Sequence, residues 1–134
     1  RTIAGCKPEK DDVQIIDVRG LSFKRYLEIA KHTGCKVAVL TDNDQNAQKN
    51  CVDKYAEYNG DPNIRVFFES DISKRTFEIV LYNDNITLCD SLFNSPAQDY
   101  MLNNKTEAAY ILLSQEQPIV VPEYMKRAIQ WIRE

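Results

Sequence analysis

Two aspartates separated by one residue are the strongest chemical signal in the sequence. Asp42 and Asp44 directly follow the apolar run 37–40, which is typical of a buried strand. Two neighbouring carboxylates repel each other unless a cation neutralises them, and Mg²⁺ commonly takes one or two carboxylates together with waters and substrate phosphate. The pair therefore predicts a divalent-metal site that could polarise a phosphoryl oxygen or generate hydroxide.

A purely structural interpretation of the same residues stays open. The segment 41–46 is rich in Asp and Asn and could serve only as a turn that caps the following helix. Its position after a strand favours a site, because ligands of open parallel sheets bind outside the carboxyl ends of the strands.

The elements that must position this pair alternate along the first half of the chain. Apolar runs predict strands at 13–18, 36–42 and 64–68, and helical periodicity predicts helices near 22–32 and 46–58. Such alternation implies a parallel sheet with right-handed crossovers, in which the strand ending at Leu40 is buried on both faces. The apolar positions expected to face the core from the two helices are Phe23, Tyr26, Leu27, Ala30, Ala47, Cys51, Tyr55 and Tyr58.

The second half of the chain predicts mainly helices. They fall near 77–82, 86–93, 105–114 and 122–133, the last with Pro122 in its first turn. We expect one α/β domain over 1–134, with an irregular start at 1–12, an α/β core at 13–82 and a mainly helical part at 83–134. Because the chain begins with Arg1 and not Met, we also expect it to be part of a longer protein.

Composition limits the class of protein. A net charge of −3, from 17 basic and 20 acidic residues, excludes a strongly basic nucleic-acid grip but not an acidic nuclease site. The four cysteines, at 6, 35, 51 and 89, form no C-x-x-C pair, so we expect reduced thiols in a cytoplasmic protein. No apolar run reaches the roughly 20 residues that cross a bilayer.

Several segments, taken in order, resemble the Toprim domain of the overcoming-lysogenization-defect (OLD) family of nucleases. These are 20–27, then 36–44 with Asp42 and Asp44, then Thr76-Phe77-Glu78, then the segment 104–109 that begins Asn104-Lys105. The resemblance implies a Toprim-like parallel sheet flanked by helices. It also implies a DNA endonuclease that uses Mg²⁺ or Mn²⁺, consistent with two-metal catalysis.

The resemblance also implies roles for individual residues and for partners. Asp42 and Asp44 would be metal ligands, Glu78 a further acidic ligand or a supporting group, and Lys105 a contact to the scissile phosphate, with Thr41 adding a backbone or hydroxyl contact. DNA would be the substrate, and an ATPase domain of the same parent chain would precede this one. The parent would form homo-oligomers, and no membrane is involved. This sequence has no G-x-x-x-x-G-K-[ST] loop, so we expect no ATP site of that kind in it.

Two departures from the family pattern qualify these expectations. Toprim domains carry a glutamate after their first strand, whereas Glu9 here follows no apolar strand. We therefore expect the N-terminal part of the domain to be truncated and part of the metal site to be missing. In addition, Gln45 stands where a glycine usually follows the two aspartates, at a position that can require unusual backbone angles.

Two other functions remain open from the sequence. Haloacid-dehalogenase-like phosphohydrolases also place D-x-D after a strand, but the D-[GT]-[TV] continuation is absent at Asp44-Gln45-Asn46. The second of these functions is that of a non-catalytic α/β module that regulates or binds a partner.

Overall fold

Two short parallel strands form the sheet. The computed structural model describes residues 12–134, and within them β1 (Val37–Leu40) pairs with β2 (Ile64–Phe67). Val37 lies opposite Ile64 and Leu40 opposite Phe67 in the register. The predicted parallel pairing of these two segments is confirmed. Val and Ile favour this pleated conformation because their branched side chains pack well on it.

The predicted strand at 13–18 is wrong. Residues 13–19 have no regular secondary structure, and Ile15 and Ile16 are 82% and 52% exposed. A strand requires a neighbour that completes its backbone hydrogen bonds, and in the described part of the chain β1 and β2 pair only with each other. The expected irregular start at 1–12, with Cys6 and Glu9, lies outside the described residues except for Asp12.

Helical elements cover both faces of the sheet. Val37, Val39 and Val66 pack against a cluster that α1 (Phe23–Thr33) contributes to, whereas Ala38 packs towards α6 (Glu123–Arg133). The prediction that β1 is fully buried is nevertheless wrong, since Leu40 is 47% exposed. Within residues 12–134, each strand has one neighbouring strand.

The helices of the first half agree with their sequence patterns in position but not in every detail. The helix α1 ends at Gly34, whose φ of 71° provides the left-handed C-terminal stop. Its inner face buries Phe23, Leu27 and Ala30, whereas Tyr26 is 43% exposed at the margin of that face. The expected helix at 46–58 forms as a π-helical segment, Gln48–Val52, that continues as a 3₁₀ helix, Asp53–Tyr58.

The C-terminal half is helical, as predicted. The helices in order are α2 (Phe77–Asp84), α3 (Ile86–Leu92), α4 (Ala97–Asn103), α5 (Lys105–Ser114) and α6. The helix α4 was not predicted; it follows Pro96 and buries Ala97 and Met101. It packs with α2 and α5 around a core that includes Cys89 and Leu112.

The observed architecture is α/β, with a small parallel sheet and many helices, and it is compatible with a Toprim-like fold. Among residues 12–134, every helix is too short or too polar to cross a bilayer.

Candidate metal centre at the end of β1

The residues after β1 form a turn with left-handed backbone. Asp44 and Gln45 have φ values of 46° and 66°. Residues other than glycine rarely adopt this conformation, because the side chain crowds the following carbonyl. The sequence-based expectation of unusual backbone angles at Gln45 is therefore confirmed, and it explains why a glycine would suit this position.

Asn43 anchors this turn from inside the protein. Its side chain is 1% exposed, and its Nδ2 donates to the carbonyls of Glu69, Asp71 and Lys74 at 2.8, 3.1 and 3.3 Å. Its Oδ1 accepts the backbone N–H of Gln45 at 2.9 Å. These bonds tie the aspartate turn to the loop that follows β2. A buried polar group needs such partners to offset its lost hydration.

A backbone hydrogen bond also connects the aspartate turn to the loop that follows β2. The backbone N–H of Asp44 donates to the carbonyl of Arg75 at 3.0 Å.

The anchoring role of Asn43 was not predicted from the sequence. The available signal was an uncharged amide between two aspartates, a residue that can donate and accept at once.

Asp42 is half-buried and faces the start of α2. Its Oδ1 accepts the backbone N–H of Phe77 at 2.9 Å, so Asp42 caps a helix 35 residues further along the chain. Burial raises the pKa of Asp42, and the negative charges of Glu78 and Asp44 raise it further. The bond from Phe77 and the charge of Lys105 oppose this rise in pKa. A cation at Asp42 would favour its ionised form in the same way.

Glu78 and Lys105 form an ion pair beside Asp42. Lys105 Nζ lies 3.1 Å from Glu78 Oε1, and the Glu78 side chain is only 17% exposed whereas that of Lys105 is 55% exposed. The second carboxylate oxygen, Oε2, is buried and has no hydrogen-bond partner. An unpartnered buried carboxylate oxygen is costly unless a cation or donor reaches it.

The four residues singled out from the sequence thus share one neighbourhood. Asp42 and Asp44 follow β1, Glu78 lies in the first turn of α2, and Lys105 is the first residue of α5. The hydrogen bonds from the Phe77 N–H to Asp42 and from the Asp44 N–H to Arg75 place both aspartates beside the start of α2. Thr41 makes only a long contact, with its Oγ1 at 3.5 Å from the Asp42 carbonyl.

Two further groups surround the pair and remain uncharged at neutral pH. The Sγ of buried Cys51 donates to the Asp42 carbonyl at 3.5 Å, and burial next to Asp44 and Asp42 raises the pKa of Cys51 to about 11. Burial and the nearby Asp42 and Glu69 likewise raise the pKa of Tyr124. Neither group adds negative charge, so the carboxylates supply the negative charge of the site and Lys105 offsets part of it.

The donor set fits a hydrated hard cation better than a fully caged one. Within the described residues, no three His, Cys, Asp or Glu side chains are grouped closely enough to enclose a metal ion. Carboxylate oxygens from Asp42, Asp44 and Glu78 are nevertheless the ligand type that Mg²⁺ prefers, and Mg²⁺ usually keeps several waters. The unpartnered Glu78 Oε2 supports this fit.

An acidic turn at the carboxyl end of a parallel strand lies where open α/β sheets bind their ligands. The family model for the overcoming lysogenization defect protein-like Toprim domain matches residues 1–44. The match covers 44 of 134 residues, ends at Asp44 and confirms the resemblance to the OLD Toprim domain there. It indicates a catalytic module of the nuclease and primase type, a type that generally binds divalent metals.

The segments around Glu78 and Lys105 lie beyond that match. No curated protein and no solved structure matches the chain.

Proposed function

We propose that this chain is the catalytic Toprim part of a divalent-metal-dependent DNA endonuclease of the OLD type. The observation that carries the proposal is the meeting of Asp42 and Asp44 with the Glu78–Lys105 pair, from three segments far apart in the sequence. The family match over 1–44 supports the same conclusion.

Each residue has a distinct proposed task. Asp42, with Oδ1 committed to Phe77, would bind a cation through its other oxygen, and Asp44 and Glu78 would complete the acidic set. A bound Mg²⁺ or Mn²⁺ supplies polarisation of a phosphoryl oxygen and a nucleophilic hydroxide. Glu78 holds Lys105, whose exposed ammonium would stabilise the charge on the scissile phosphate.

The wider assignment follows from the family resemblance. We propose DNA as the substrate, an ATPase domain elsewhere in the parent protein and homo-oligomers formed through that parent. A cytoplasmic location is consistent with Cys51 and Cys89, which are buried free thiols.

A plasmid-nicking assay tests the site. The longest native protein that contains this chain should nick supercoiled plasmid with Mg²⁺ or Mn²⁺, and Asp42→Ala and Asp44→Ala should each reduce the rate at least 100-fold. The exposed Asp99 on α4 provides a matched control, and Asp99→Ala should leave the rate unchanged. Unchanged nicking by both site variants would refute the assignment.

Two other outcomes favour the alternatives. Hydrolysis of p-nitrophenyl phosphate without nicking would favour a haloacid-dehalogenase-like phosphohydrolase. Absence of both activities in the intact protein, with normal folding, would favour a non-catalytic module.

A further inference from the structure

A cleft with a volume of about 400 Å³ lies between β2 and α6, outside the acidic site. Arg65, Phe68 and Ser70 line it from β2 and the residues after it, and Arg127 and Trp131 line it from α6. Its lining contains none of the carboxylates assigned to the metal. The cleft therefore has to be explained separately from the metal site.

The cleft carries positive charge on a chain that is acidic overall. Arg65 and Arg127 are both exposed, and neither belongs to an ion pair within residues 12–134. Lys36 lies outside the lining but near it, with its Nζ 4.6 Å from the centre of the Trp131 ring. The only acidic side chain in the lining is that of Glu134. Unpaired guanidinium groups bind phosphate well, because their planar donors match its oxygens.

The cleft also offers aromatic surface. Phe68 and Trp131 both line the cleft and are both partly exposed. Trp131 is held against Phe67, with ring centroids 5.9 Å apart, which fixes the orientation of its indole. Aromatic rings placed beside basic side chains are the combination with which proteins bind unpaired bases, because any base can stack on them.

The cleft leads towards the acidic turn. Ser70 follows Glu69, whose carbonyl accepts the 2.8 Å hydrogen bond from Asn43. On α6, Tyr124 packs in one core cluster with Phe67, the last residue of β2. Arg127 lies three residues further along, about 5 Å of helical rise. A strand bound in the cleft would thus continue to the carboxylates.

We propose that this cleft binds single-stranded nucleic acid and guides that strand to the phosphodiester at Asp42 and Asp44. The guiding role rests on the nuclease function proposed above. A single strand fits better than a duplex because a duplex stacks its bases on each other, so their faces cannot reach Phe68 and Trp131. Arg65 and Arg127 would hold the phosphates of this strand.

Intrinsic fluorescence provides a direct test, because Trp131 is the only tryptophan in the chain. We expect a 12-nucleotide oligothymidylate, added in EDTA so that no cleavage occurs, to quench this fluorescence. The Arg65→Ala, Arg127→Ala double variant should bind at least 10-fold more weakly. Its log–log salt dependence should flatten by a slope of about 0.7 for each phosphate that the variant no longer binds. Phe68→Ala should weaken binding without changing that slope.

A neighbouring lysine supplies the matched control. Lys126 lies next to Arg127 on α6 but is paired with Glu123 at 3.6 Å and is not part of the cleft lining. Lys126→Ala should therefore leave binding unchanged. Circular dichroism should show that all variants remain folded.

The outcomes for the cleft and for the nuclease are distinguishable. Asp42→Ala should abolish nicking but retain oligothymidylate binding. If the longest native protein that contains this chain binds oligothymidylate but does not nick plasmid, the nuclease is contradicted and a single-strand-binding cleft is left. Binding that the double arginine variant does not weaken, or equal affinity for duplex DNA, would overturn the cleft assignment.

Discussion

The strand end that carries the acidic turn is packed very differently from the core of the helical half. In the helical half, Cys89, Met101 and Leu112 are 0%, 2% and 2% exposed around one core. In the α/β half, the strand that carries the acidic turn is only partly covered, and Leu40 at its end is 47% exposed. The candidate site lies where the two halves meet.

This difference shows how the acidic turn keeps its geometry without deep burial. The turn is held by the polar contacts of Asn43 to the loop after β2 and by the bond from Phe77 to Asp42. The helical half supplies Phe77, Glu78 and Lys105. The turn is therefore held by contacts from both halves of the chain.

The largest expected effect tests the packing contrast directly. Met101→Ala should lower the free energy of unfolding by about 2–5 kcal/mol, because it removes a buried side chain and leaves a cavity. Leu40→Ala should cost only about 1 kcal/mol, since that side chain is half exposed. Urea denaturation of both variants measures the difference, and equal losses would mean that the end of β1 is packed as tightly as the helical core.

Asn43 should be more important for stability than its size implies. Asn43→Ala should cost about 2 kcal/mol, because it leaves buried carbonyls and the Gln45 N–H without their partner. Asn83→Ala is the control: Asn83 is exposed and makes one side-chain bond, to Ile79 at 2.8 Å, so a change within about 0.5 kcal/mol is expected. Thermal or urea unfolding distinguishes the two, and a small loss for Asn43→Ala would contradict the anchoring role.

The raised pKa of Asp42 predicts a pH-dependent change in stability. In the folded state its pKa lies above the usual value of 3.8, so the folded protein binds a proton more tightly than the unfolded chain. The resulting stability is fully present below pH 3.8 and is lost as the pH rises through the folded-state pKa. Asp42→Asn should therefore be more stable than the unmodified protein at neutral pH, and this advantage should shrink as the pH falls.

Added Mg²⁺ provides a second comparison between the unmodified protein and Asp42→Asn. Added Mg²⁺ should raise the melting temperature of the unmodified protein at neutral pH, because ligand binding to the folded state stabilises it. Asp42→Asn should respond much less to Mg²⁺. An equal response of both proteins would mean that the cation binds elsewhere.

The smallest expected effect concerns the strained turn. Gln45→Gly should raise the free energy of unfolding by up to about 1 kcal/mol, because glycine adopts the φ of 66° without steric cost. Gln45→Ala separates this effect from loss of the side chain, since alanine keeps the Cβ and should give no gain. A gain of the same size from both substitutions would exclude backbone strain as its cause.

Local patterns predicted the elements that depend on local residues. The apolar runs at β1 and β2, the face of α1 and the four predicted C-terminal helices all formed near the expected positions. The position of Asp42 and Asp44 after a strand and the backbone strain at Gln45 were also predictable, because both follow from neighbouring residues.

Features that depend on distant contacts were not predictable in this way. The segment 13–18 has the composition of a strand, but strand formation requires a partner, and its isoleucines remain exposed. The helix α4 is stabilised by packing Met101 among other helices and not by its own sequence pattern. The anchoring by Asn43 depends on carbonyls 26 to 31 residues away, which no local pattern encodes.

The bond between Asp42 and Phe77 has a consequence for synthesis on the ribosome. Residues 42, 78 and 105 emerge in that order, and the acidic turn has no capped helix or lysine beside it until the later segments have been made. Contacts of such long sequence separation form only after the intervening chain is available. A nascent chain would carry the two aspartates without the remaining groups of the proposed centre until Lys105 has been synthesised.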